Sequence, residues 1–334
     1  MAFCGESEGF MGQIDNTAMS ADQSELSMLV GKLRLVGESD EATKAAGTLA
    51  SMAIDADNRV AISKEEGVLA ALVTMLCDGS TVGKEKAAGT LLNLAVDADN
   101  QVAIGKQEGA LAALVSLLQC DNDGSTAGKE KAAGTLQHLA NNADNREAIA
   151  KQEGALAALV ALLRDGSVTG KEKAASVLLN LANSTENEVP IALQEGALAA
   201  LVALLRDGSV VGRETAAGAL QNLAADAGNQ VSIAKEEGAL AALVALLLRD
   251  DDGNVGVAAG KEKAAGALWF LAKNADNQVA IAKEEGVLAA LVTMLRDGTA
   301  TGKIMAGGAV KLLSENQDAK VALLELGCDA SALT

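Results

Sequence analysis

Apolar residues in this chain recur at i, i+3, i+4 and i+7, the spacing of one face of a helix. Leu198, Leu201, Val202 and Leu205 show the pattern within a single stretch. The stretch is itself repeated. Aligned on the glycine of the phrase EG(A/V)LAALV, it returns at Gly67, Gly109, Gly154, Gly196, Gly238 and Gly286, in steps of 42, 45, 42, 42 and 48 residues. A period in the forties marks a stack of supersecondary units, each burying its apolar face against its neighbours.

Each unit divides into three helices. An Asp/Asn pair such as Asp57-Asn58 or Asp276-Asn277 is expected to cap the first, because its side-chain oxygens accept from free backbone N–H groups. That short helix should stop at a glycine such as Gly286, which takes a left-handed C′ position at little cost. The second helix, LAALVALL, ends at Asp-Gly, as in Asp207-Gly208. The third, GKEKAAGALxNLA, should turn Ala216, Ala217, Leu220 and Leu223 inward.

These signals divide the chain into a disordered leader at 1–23, a capping partial repeat at 24–57, six repeats at 58–316 and a C-terminal partial repeat at 317–334. The repeats run 58–99, 100–144, 145–186, 187–228, 229–276 and 277–316. The connections Gln119–Ala127 and Leu248–Ala259 exceed the base unit by three and six residues, and read as loops on one rim.

Composition narrows the class to all-α. The chain is 49% hydrophobic but 1% aromatic, with Ala and Leu carrying the apolar content, and both are strong helix formers. The net charge of −18 argues against a nucleic-acid partner, which would require a basic face. Cys4, Cys77, Cys120 and Cys328 are dispersed, with no CxxC, so reduced thiols are expected rather than a disulfide frame or a zinc site. No signal peptide, lipidation box or membrane span is read. The expected location is the cytoplasm, with the nucleus a second compatible compartment.

The consensus NxxAIxxEGALxxLVxLLxDGxxxGxEKAAGALxNLA resembles the armadillo repeat in its three-helix form, in register over 58–316. The resemblance implies a right-handed superhelical solenoid whose third helices line a concave groove. It also implies binding of an extended peptide, with an Asn on each third helix contacting the ligand backbone. Here that position reads Ser51, Asn93, His138, Asn180, Asn222, Phe270 and Leu312. Nuclear-import members carry a Trp four residues earlier, where this chain has Gly47, Gly89, Gly134, Ser176, Gly218, Gly266 and Gly308. Residues 1–31 also lack Lys and Arg, so a nuclear-signal receptor is not expected.

At about 100° per residue, the position seven before the ladder residue shares its face. It reads Lys44, Lys86, Lys131, Lys173, Thr215, Lys263 and Met305. Two readings stand. Lys86, Lys131, Lys173 and Lys263 form a cationic ladder that selects an acidic segment, or, with glutamates such as Glu85 and Glu130 beside them, they are a solvated helix start. The glycines between lysine and asparagine cost about 1 kcal/mol each in a helix interior, which implies either ligand approach or tight helix stacking. Phe270 could anchor an apolar ligand group, whereas Trp269 reads as packing on the next repeat.

His138 is the single histidine and reads as a ladder variant, since metal binding and acid–base catalysis need partners. Gly79–Glu85 mimics a phosphate loop but has three residues between its glycines where four are needed. Gln119–Glu130 mimics a calcium loop with Gln in first place. The expected function is therefore a non-enzymatic protein-interaction module without a cofactor, holding an extended, acidic segment. The alternative is a rigid spacer in a cytoskeletal or vacuolar-adaptor complex, using its convex face or its ends.

Overall fold

The computed structural model describes residues 23–35, 40–119, 125–249 and 255–328, all of them helices and short connections without a strand. Helices α1 (Gln23–Leu33) and α2 (Asp40–Met52) open the stack. Triplets follow: α3 (Ala56–Lys64), α4 (Val68–Asp78), α5 (Thr81–Leu94); then α6 (Ala98–Lys106), α7 (Ala110–Gln119), α8 (Thr126–Leu139). Next come α9 (Ala143–Lys151), α10 (Ala155–Asp165), α11 (Val168–Leu181), and α12 (Thr185–Leu193), α13 (Ala197–Asp207), α14 (Val210–Leu223). The last are α15 (Ala227–Lys235), α16 (Ala239–Leu247), α17 (Val255–Leu271), then α18 (Ala275–Lys283), α19 (Val287–Asp297), α20 (Ala300–Leu313), with α21 (Gln317–Glu325) closing the row.

Three ladders result. The third helices α2, α5, α8, α11, α14, α17 and α20 each pack on the next, the second helices α1, α4, α7, α10, α13, α16 and α19 form another row, and the first helices α3 through α18 a third. The core lies between the second and third helices of each unit. Ala216, Ala217, Leu220 and Leu223 are fully buried there, as the apolar spacing requires. The assembly is an all-α solenoid of three-helix repeats.

The corner between first and second helices is set by glycine, though not as a C′ residue. In the last repeat α18 ends at Lys283 and the next residue is extended (Glu284, φ −66°, ψ 128°); the glycine then turns the chain directly into the second helix (Gly286, φ 78°). All six aligned glycines lie between φ 72° and 78°, a region where a Cβ is strained.

The first-helix cap also lies earlier than the Asp/Asn pair. Asp55, not Asp57, caps α3, accepting from the N–H groups of Asp57 and Asn58; Asn274, not Asp276, caps α18. The pair is already helical because its Asn is wanted inside. Asn145 is buried and donates from Nδ2 to Gln101 O (2.8 Å) of the preceding repeat and to Leu139 O (3.1 Å). Asn100, Asn187, Asn229 and Asn277 repeat this double bond.

The second helices α4, α10, α13 and α19 stop at Asp-Gly as expected, and the Ser or Thr that follows caps the third. Gly79 N–H donates to Met75 O (3.0 Å), and Ser80 Oγ accepts from Gly83 N–H (3.2 Å). The stretch that mimics a phosphate loop is thus a helix cap. Residues 120–124 of the calcium-like loop lie outside the described residues, as do Cys4 and nearly all of the leader, and the end of that stretch, 126–130, is the start of α8. The longer insertion is not all loop: Val255–Ala259 is helical, so α17 has 17 residues where α14 has 14.

Candidate functional site

The ladder positions fall on successive third helices, so Asn93, His138, Asn180, Asn222 and Phe270 come into one row on α5, α8, α11, α14 and α17. All five are half-buried. The asparagines are tethered backwards. Asn93 donates from Nδ2 to Ala50 O (2.8 Å), at the end of α2. Asn180 donates to Gln137 O (3.1 Å) and Asn141 Oδ1 (3.2 Å), and Asn222 to Leu179 O (3.4 Å) and Asn183 Oδ1 (3.0 Å). The amide N–H groups therefore stitch each third helix to its predecessor. The three Oδ1 atoms accept nothing from the described residues and remain open acceptors.

His138 takes the ladder position in the second repeat. Burial pushes its pKa down, and the Lys173 charge adds to the effect, so the ring is neutral at pH 7. No cluster of three or more His, Cys, Asp or Glu side chains suited to a metal occurs among the described residues.

The lysines are not equivalent. Lys131 Nζ lies 2.6 Å from Glu85 Oε1 of the preceding repeat. Lys173 donates to Gln137 Oε1 (3.1 Å). Lys86 and Lys263 have no ion-pair partner among the described residues, and Lys263 is exposed. The ladder is thus a cationic row already neutralised at one rung.

The glycines between lysine and ladder residue serve stacking. A Cβ on Gly47 would lie 3.7 Å from Lys86 Cδ, and one on Gly89 3.4 Å from Lys131 Cδ, so the next repeat's lysine stem runs over bare backbone. Further along, Gly134 faces Leu92 and Gly218 faces Leu179 from the preceding repeat. At Gly308 the indole of Trp269 occupies the Cβ position itself. Trp269 thus packs on the next repeat, as its sequence context implied. Phe270 stacks on it with centroids 5.7 Å apart.

One set of contacts was not anticipated. Ser125 donates to Glu85, Ser167 to Glu130, Ser209 to Glu172 and Thr299 to Glu262. Each glutamate reaches the hydroxyl that caps the following third helix. The signal was present as a Ser or Thr a fixed distance downstream, 37 residues in three of the four cases. The clefts between adjacent repeat corners, one lined by Leu247, Lys261, Met294 and Gly302, lie on the loop rim rather than on the ladder.

With this geometry in hand, two family models match the chain: the plant U-box protein ARM repeat region over residues 11–199, and the armadillo/beta-catenin-like repeat over 186–225. The chain belongs to the armadillo repeat family. No curated protein matches it. Among solved structures it is similar to the designed armadillo repeat protein YIII(Dq)4CqI, at 27% identity and a TM-score of 0.64, covering 74% of this chain and 100% of that one. An engineered protein matches at 28% identity and TM-score 0.65, covering 75% and 99%. A third, the designed armadillo repeat protein YIII(Dq.V1)4CPAF in complex with the peptide (KR)4, matches at 27% and 0.63, covering 74% and 99%. Armadillo repeats build protein-interaction scaffolds that are generally non-enzymatic, and this chain has that scaffold.

Proposed function

We propose that this armadillo solenoid holds an extended segment of a partner protein along its third helices. Asn93, His138, Asn180, Asn222 and Phe270 would contact the segment, while Lys86, Lys131, Lys173 and Lys263 set its charge. One observation carries the reading. Each asparagine amide donates to the preceding helix, which fixes the side chain and leaves its carbonyl as an open acceptor. A row of fixed acceptors suits the N–H groups of an extended backbone, and pre-organised groups lose little entropy on binding.

The side-chain preference is for acid. A basic peptide such as the one in the designed relative would meet cations here, and like charges across an interface oppose binding. Lys86 and Lys263 carry this preference most strongly, since Lys131 is shared with Glu85. No cofactor or catalysis is part of the proposal, and the protein would work in the cytoplasm or nucleus.

The test is selection of a displayed library of short linear peptides on the immobilised protein, followed by titration of the winners. Asn93→Ala, Asn180→Ala and Asn222→Ala together should weaken binding at least about tenfold, roughly 1.4 kcal/mol, with the helical circular dichroism signal retained. Unchanged affinity would overturn the groove reading and leave the rigid spacer.

A further inference from the structure

The concave row changes chemistry at one end. The row is polar through the fourth repeat, as Lys86 and Asn93, Lys131 and His138, Lys173 and Asn180, then Thr215 and Asn222, but the fifth carries Lys263 and Phe270, and the sixth Met305 and Leu312. Phe270, Met305 and Leu312 are partly buried and packed against the core, so their remaining surface is a fixed apolar floor.

Cations border that floor. Lys273 Nζ stands 4.2 Å from the centroid of the Phe270 ring, and Lys263 lies two helical turns earlier on the same face of α17. Neither has an ion-pair partner among the described residues. A cation over a ring face is held by its charge and not by a hydrogen bond, which leaves its N–H donors available to a carboxylate.

Gln221 walls the floor on its α14 side. It is 9% exposed, and its buried Oε1 has no hydrogen-bond partner. Its amide rests over Gly266, 2.7 Å from where a Cβ would stand, and Gly266 is one turn from Phe270 on the same face of α17.

We infer that the α17–α20 end of the concave face is a specificity pocket for a large apolar side chain carried beside a carboxylate. The apolar group sits on Phe270 and Leu312, and the carboxylate takes Lys273 or Lys263. The partner is thus an extended segment in which acidic and apolar residues adjoin. The inference rests on the groove reading and narrows it, since uniform acid would satisfy the lysine row alone.

The test titrates the full chain with labelled peptides on a common Ser/Gly background, carrying Glu-Leu-Glu, Glu-Ser-Glu or Lys-Leu-Lys. Glu-Leu-Glu should bind about tenfold tighter than either other peptide, the order of discrimination that one apolar side chain provides. Phe270→Asn installs the residue other repeats carry there, and should erase the advantage over Glu-Ser-Glu. Lys273→Glu should weaken both acidic peptides about equally. If no peptide binds, or the triple asparagine variant binds all as wild type does, the groove reading falls and this inference falls with it. If peptides bind and need the asparagines, but Leu and Ser are equivalent or Phe270→Asn weakens both alike, this inference alone is overturned.

Discussion

Lys131 Nζ lies 2.6 Å from Glu85 Oε1, across the boundary between two repeats. The lysine stem reaches the carboxylate by crossing Gly89, and the same carboxylate accepts from Ser125, which caps the helix that carries Lys131. One glutamate thus ties a cation and a helix cap of the next unit to its own. The hydrogen bond from Lys131 holds the Glu85 pKa below the usual carboxylate range against a smaller opposing effect of burial, with Ser125 helping.

A depressed carboxylate pKa stabilises the fold above the unfolded-state pKa, and that contribution is lost as pH falls through the folded-state value. Lys131→Met should therefore flatten the acid limb of stability against pH. Both groups are partly exposed, so the loss at neutral pH should be no more than about 1 kcal/mol, and smaller in high salt. Chemical denaturation at several pH values measures it.

Glu188 should show the opposite sign. Its position carries Arg59, Gln101, Arg146, Gln230 and Gln278 elsewhere, whose side chains donate to the carbonyl ending the preceding third helix. Glu188 is buried there, and its pKa is raised, first by burial and then by Asp226, with Glu186 adding and the Asp226 backbone N–H opposing. Stability from this site is full below the unfolded carboxylate pKa and declines as pH rises through the folded one. Glu188→Gln restores an amide donor and should raise stability at pH 7 by about 1 kcal/mol while removing that decline. A variant no more stable than wild type at pH 7 contradicts this assignment.

The same substitution should have opposite effects at two equivalent glycines. Gly47→Ala meets only Lys86 carbons at 3.7 and 3.9 Å, so it should gain up to about 1 kcal/mol from helix propensity. Gly308→Ala drives a methyl into the Trp269 indole and should cost about 1–3 kcal/mol. Thermal melts of the two variants decide it, and tryptophan fluorescence should shift only in the second.

Asn145→Ala should be more damaging than loss of a groove asparagine. Its buried amide serves two carbonyls of the preceding repeat, one on α6 and one on α8, and removing it should cost about 1–3 kcal/mol. Hydrogen exchange should accelerate first where α6 meets α9.

These contrasts mark how far the sequence could be read. The repeat, the three helices and the left-handed Gly286 were legible because each follows from local spacing or backbone conformation. The first cap was misplaced because Asp57-Asn58 looks like a surface pair, while Asn58 is buried; burial depends on the neighbouring repeat. For the same reason spacing could place Lys131 on the ladder face but not show that Glu85 already holds it. The glycines left ligand approach and stacking both open until the Lys131 stem and the Trp269 ring were placed. Trp269 was legible because the solenoid offers an outward-facing aromatic little else to cover it.

The central claim is that a partner segment runs along the third helices. The most direct measurement is photo-crosslinking of a diazirine-bearing peptide chosen from the displayed library, with the sites mapped by mass spectrometry. Crosslinks are expected on α5, α8, α11, α14 and α17, near Lys86, His138 and Phe270, lost on competition with unlabelled peptide. Competable crosslinks confined to the first helices α6, α9, α12 and α15 would contradict it.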